Sequence, residues 1–175
     1  MLRAEIDRFD ERTGAHKMND WLRQTAECLR KQRDEKASDD AVFLETQRLT
    51  REFGPELWNQ VASEIKTNCD GLNREIGDNV ARVNDTPNGG LSVQAKTPKG
   101  LKELHATFDA NKCLLRWRAE SKEGKYSCST GQYEVSVGKD NRAALYSMNE
   151  KGESLFTSPS SAKGIAEEML TALFS

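Results

Sequence analysis

Apolar and polar positions alternate through residues 91–157 in a series of short runs: Leu91–Ala95, Leu104–Phe108, Cys113–Trp117, Tyr133–Val137, Ala144–Met148 and Ser154–Phe156. Successive side chains on a strand point to opposite faces, so this period of two predicts half-buried β-strands. In the second run Leu104, Ala106 and Phe108 face one way and Glu103, His105, Thr107 and Asp109 the other. In the third, Cys113, Leu115, Trp117 and Ala119 oppose Arg116, Arg118 and Glu120, with Leu114 the one apolar residue on the charged side. One dry and one wet face is the signature of an antiparallel sheet covered on one side. The connectors are too short for parallel crossovers, and they carry the Gly, Asn and Asp that tight turns require. A meander of about five to seven strands, curved, is therefore expected.

Within the meander the inward parity is even at Tyr126 and Cys128 but odd at Tyr133, Val135 and Val137, which predicts a bulge or a hairpin at Gly131. Val80 and Val83 predict a short first strand before the Asp85–Gly90 turn. After the last strand, Ser158 is the expected N-cap and Pro159 the first helical residue of a C-terminal amphipathic helix. Its stripe of Ile165, Met169 and Leu173 suits packing on the dry sheet face.

The front half repeats at helical spacing instead. Helices are expected over residues 2–12, 19–36, 40–53 and 55–77. Thr13-Gly14, the cap types Ser38-Asp39-Asp40 and the pair Gly54-Pro55 are the predicted interruptions, and Gly77 the predicted stop. The chain is accordingly read as α+β, with a helical region at 1–79 and a sheet with its closing helix at 80–175.

Charged residues make up 31% of the chain and mean hydropathy is −0.77, values that fit a good deal of solvated helix. Residues 1–90 hold 14 Lys and Arg against 18 Asp and Glu, and residues 91–175 hold 12 against 10. Neither half has the basic excess of a nucleic-acid binder. No apolar run reaches the ~18 residues of a bilayer span. No leader pattern opens the sequence, so a cytoplasmic location is the expectation.

Candidate chemistry is sparse. Cys28, Cys69, Cys113 and Cys128 are widely spaced and read as reduced thiols rather than metal ligands. The two histidines, His16 and His105, do not supply a metal site or a triad, and His105 reads as a solvated strand residue. Cys128 lacks an evident activating base. Asn88-Gly89-Gly90 leads into a strand and reads as a turn, not a phosphate loop. Arg116 and Arg118 sketch a basic surface, but parity turns Trp117 away from them. No catalytic residue, cofactor or metal site is assigned, and the sequence leans away from an enzyme.

What the sequence does show is surplus apolar surface. One sheet face accommodates only about two helices at ~10 Å each. Trp21, Leu22, Leu29, Phe43, Leu49, Phe53 and Trp58 thus call for a further partner surface, and a second copy of the chain is the simplest supplier. The first expectation is a non-enzymatic interaction or scaffold protein that self-associates through its N-terminal helices. The alternative is a small-molecule-binding or enzymatic α+β domain with a pocket near Phe108, Trp117, Tyr133 and Tyr146.

Overall fold

The computed structural model describes residues 11–121, 128–138, 140–149, 151, 153–154 and 158–175, with the backbone alone for 11–19. Its elements are α1 (Glu11–Ile76), β1 (Ala81–Asp85), β2 (Leu91–Thr97), β3 (Gly100–Asp109), β4 (Leu114–Ser121), β5 (Ser129–Val137), β6 (Ala143–Ser147) and α2 (Ala162–Phe174). The fold is α+β: a long N-terminal helix, an open six-stranded antiparallel sheet and a C-terminal helix. Residues 2–10 of the first expected helix, Tyr126, and Leu155 and Phe156 of the last predicted run lie outside the described residues.

The strands follow one another across the sheet in chain order, as short connectors dictate. Their register places like with like. Val93, Leu104 and Ala119 stand opposite one another across β2, β3 and β4, and Leu115 stands opposite Tyr133 across β4 and β5. All five are buried. On the other face Ser92, His105, Arg118 and Thr130 line up, and the last three are solvent-exposed or nearly so. Glu103 is on this second face too but is buried, with Gln94 Nε2 donating to its carboxylate at 3.2 Å.

Gly131 makes neither the bulge nor the hairpin that parity predicted. The β4–β5 ladder runs unbroken from Leu114↔Glu134 to Ala119↔Ser129, and Gly131 pairs directly with Trp117. The apparent change of parity arose because Cys128 precedes β5 and does not belong to it. The glycine is there for the indole, whose Nε1 would lie 2.3 Å from a Cβ at that position.

Where four N-terminal helices were expected, α1 runs without interruption from Glu11 to Ile76. Ser38-Asp39-Asp40 therefore caps nothing, and Pro55 lies inside the helix. An internal proline costs roughly 3 kcal/mol, since it removes one i→i−4 hydrogen bond and crowds the carbonyl before it. Burial on the C-terminal side offsets this. Trp58, Val61, Ile65 and Cys69 recur at i, i+3, i+7 and i+11, and all belong to the core. Side-chain pairs on the N-terminal side add to it: Arg48 donates to Glu45 at 2.8 and 2.9 Å and to Glu52 at 2.6 Å. Such exposed pairs each contribute a few tenths of a kcal/mol at about this spacing.

The chain divides into two compact units, one ending at Leu44 and the other running Glu45–Ser175. The division falls inside α1, whereas the sequence reading placed one at 79/80. In the second unit α1 is fastened to the start of the sheet at three points. Trp58 Nε1 donates to the Gly89 carbonyl at 3.0 Å, and Lys66 Nζ to Asp85 at 2.8 Å. The Asn73 amide both donates to the Ala81 carbonyl and accepts from its N–H, at 2.8 and 2.9 Å. The helix then stops at Gly77, whose φ of 77° is left-handed and whose N–H bonds the Asn73 carbonyl.

α2 begins three residues later than the sequence predicted. Ser161, not Ser158, is its N-cap, with Oγ accepting from the Gly164 N–H at 3.0 Å. The preceding Ser160 donates to the Leu145 carbonyl at 2.7 Å, so the chain is held against β6 until that point and cannot turn helical earlier. Ile165, Ala166, Met169 and Leu173 of α2 share one buried cluster with the α1 residues above and with sheet residues from β1 to β6.

Candidate functional site

Two features of the surface stand out, one in each unit. The first is the stretch of α1 from Asp20 to Leu44. Its polar residues pair along the helix, Arg23 with Glu27 at 3.5 Å and Lys31 with Glu35 at 3.9 Å. Its large apolar residues are open to solvent. Trp21 is 62% exposed, Leu22 52%, Leu29 61% and Phe43 60%, with Val42 and Leu44 equally open.

The seven residues expected to form an interface are thus not brought together as one set. Trp21, Leu22, Leu29 and Phe43 lie in the first unit. In the second, Leu49 is half-buried and Phe53 is exposed at 38%. Trp58 is a correction: at 6% exposure it is a core residue of its own chain, satisfied by the Gly89 carbonyl.

The second feature is a groove of about 730 Å³ between the last turns of α1, the β2–β3 turn and the last turns of α2. Leu72, Ile76, Val80, Pro98, Leu170 and Phe174 give it an apolar lining, and Lys96 and Glu167 stand among its polar residues. Lys99 Nζ, donating to the Ser175 carbonyl at 2.6 Å, ties the turn to the end of α2. This mainly apolar lining suits the groove to holding an apolar body. Sequence reasoning missed it, because its walls come from segments about 20 and 70 residues apart.

The pocket residues named from sequence do not enclose a common space. Trp117 and Tyr133 are buried on the core face, and Phe108 beside them packs its ring on Gly54, where a Cβ would come within 2.8 Å of it. Tyr146 pairs with Glu134 in the β5–β6 ladder and is on the opposite face. Tyr133 donates its hydroxyl to the Glu168 carboxylate of α2. Burial first, and this carboxylate second, push the phenol above its ordinary range.

The titratable candidates sit apart from both features. His105 is on the wet face with Nε2 3.5 Å from Glu103, beside a depression of about 340 Å³ shared with Arg116, Arg118, Thr130 and Gln132. Arg118 is itself paired with Glu120 at 2.7 Å. Cys28 and Cys128 are exposed, Cys69 and Cys113 buried. Burial pushes the Cys69 thiol up to about 11, with Asp70 adding to it, and burial likewise raises Cys113. Among the described residues no three His, Cys, Asp or Glu side chains converge to hold a metal ion, and no helix is long and apolar enough to cross a membrane. No protein-family model, curated protein or solved structure matches this chain.

Proposed function

We propose that this chain is a non-enzymatic interaction protein that self-associates through the N-terminal stretch of α1. The observation that carries the reading is the exposure of Trp21, Leu22, Leu29 and Phe43 at 52–62% along one stretch of helix. Large apolar side chains grouped on one element are the usual mark of an association surface. Burying a Leu or Phe stabilises by about 1.5–3 kcal/mol, so four such residues per chain are enough to hold two copies together at micromolar concentration after the entropy of association. The test is light scattering over the micromolar range on the intact chain and on Leu22→Glu/Leu29→Glu. The wild type should gain mass with concentration and the variant should stay monomeric. Equal, monomeric masses for both would end the proposal.

A second reading is favoured by the groove alone. Its volume and apolar lining fit a small apolar ligand, with Lys96 near enough to steer an anionic head group. Ile76 is 55% exposed at its edge, so Ile76→Glu should leave the fold intact. An environment-sensitive anionic naphthalene dye should brighten on the wild type and not on this variant. Equal brightening would assign the dye to some other surface.

A further inference from the structure

Resting on the groove reading above and not on self-association, we infer that the groove takes a single acyl chain ending in a carboxylate, which Arg82 and Lys96 hold at the edge strand β1. The groove is one of two spaces that meet there. A second pocket of about 490 Å³, with Asn79, Arg82, Gln94 and Leu101 in its lining, shares Val80 and Lys96 with it. These two residues are joined across the start of the β1–β2 ladder, where the Lys96 N–H donates to the Val80 carbonyl at 2.8 Å. The apolar groove thus opens round the beginning of β1 into a polar space.

Charge is ordered along this path. One wall follows α1 from Asn68 to Ile76 and another follows α2 from Glu167 to Phe174, each roughly 10–12 Å of helix. Both walls finish near the β2–β3 turn, since Val80 follows Ile76 closely and Lys99 ties the turn to Ser175. Lys96 therefore stands at one end of the groove and Glu167 at the other, where Lys163 lies 3.8 Å from it. At the Lys96 end the register sets Arg82 opposite Gln94, which puts Arg82 diagonally across from Lys96 on the same face, at about 7–8 Å between strands. Both cations are exposed, and among the described residues neither is in an ion pair. The acid in that row, Glu103, already accepts from Gln94 and lies 3.5 Å from His105. A carboxylate fits between the two cations, because the guanidinium fork matches its two oxygens and the ammonium adds a second charge. The tail behind it then lies on Leu72, Ile76, Leu170 and Phe174.

Titration calorimetry on the full chain tests this, with decanoate, decanol and decylamine as probes below their micelle concentrations. On the wild type, decanoate should bind roughly tenfold more tightly than decanol, and decylamine more weakly than either. Shortening decanoate to octanoate should weaken binding about fourfold for each CH₂ removed. Arg82→Gln/Lys96→Gln should bring decanoate down to the affinity of decanol while leaving decanol unchanged, and Ile76→Glu should abolish the binding of both. Equal affinities for decanoate and decanol on the wild type, both lost in Ile76→Glu, would overturn the carboxylate assignment and leave the apolar groove standing. A preference for decylamine would overturn it as well, by placing the head group at Glu167. Binding of none of the three would remove the groove reading together with the inference built on it.

Discussion

Gly131 lies directly across the β4–β5 ladder from Trp117, and the indole covers it so closely that a Cβ there would stand 2.3 Å from Nε1 and 2.6 Å from Cε2. Trp117 is 5% exposed and cannot swing into solvent without opening the core. Gly131→Ala should therefore destabilise the protein by about 1–3 kcal/mol, although alanine suits a strand better than glycine does. Urea denaturation of Gly131→Ala, Trp117→Leu and the double variant checks the cause. The alanine should be tolerated much better once the indole is gone, and strictly additive losses would show that the contact is not the reason for the glycine.

Tyr133 and Glu168 join the sheet to α2 by one hydrogen bond, and the phenol is held above its ordinary range by burial and by that carboxylate. A raised folded-state value means that the native protein holds the proton more tightly than the unfolded chain does. The stability this confers is complete below about pH 10, where the unfolded phenol is still protonated, and is lost as pH rises toward the folded value. Tyr133→Phe should cost about 1 kcal/mol at neutral pH. The gap between wild type and variant should narrow above about pH 10, as judged by denaturation at a series of pH values. A gap that stays constant through that range would argue against the bond.

The four thiols should sort into two pairs. Cys28 and Cys128 are exposed, whereas Cys69 is buried with its thiol pushed up to about 11 and Cys113 is buried and raised. Thiolate is the reactive form, so both access and ionisation protect the second pair. A chromogenic disulfide reagent at neutral pH should titrate two thiols quickly and the other two only on unfolding. Four fast equivalents would contradict the burial assigned here.

Pro55 interrupts the hydrogen bonding of a helix that nonetheless continues through it, and the adjacent Gly54 is pressed by the Phe108 ring. Pro55→Ala restores the missing donor and should stabilise the Glu45–Ser175 unit by about 1–3 kcal/mol. Gly54→Leu should do the reverse, because the ring must be displaced from the position it holds. Thermal denaturation decides both signs, and a destabilising Pro55→Ala would show that the proline sets a bend the packing requires.

These relationships explain what the sequence revealed and what it concealed. The strands were legible because the period of two at Leu104–Phe108 and Leu115–Ala119 records burial on one face, which is local information. The α1 boundaries were not. Ser38-Asp39-Asp40 and Gly54-Pro55 are local stop signals, and they are overridden by long-range burial of Trp58, Val61, Ile65 and Cys69. Gly131 was visible as an anomaly, but its cause is a partner across the ladder. The N-cap of α2 was displaced because Ser160 bonds to Leu145, a contact no neighbouring residue announces. Of the candidate surfaces, the exposed helix was legible as apolar residues in excess of what a sheet can cover. Trp58 was wrongly counted among them, since its hydrogen bond to Gly89 spans 31 positions. The groove was hidden entirely, being made by the meeting of Leu72, Pro98 and Phe174.

The central claim is that Trp21, Leu22, Leu29 and Phe43 are covered by a second copy of the chain, and sedimentation equilibrium of the intact wild type tests it most directly. The account predicts a reversible monomer–dimer equilibrium in the micromolar range that Leu22→Glu/Leu29→Glu abolishes while the circular dichroism is retained. A single species of about 19.6 kDa at every concentration, in wild type and variant alike, would contradict it.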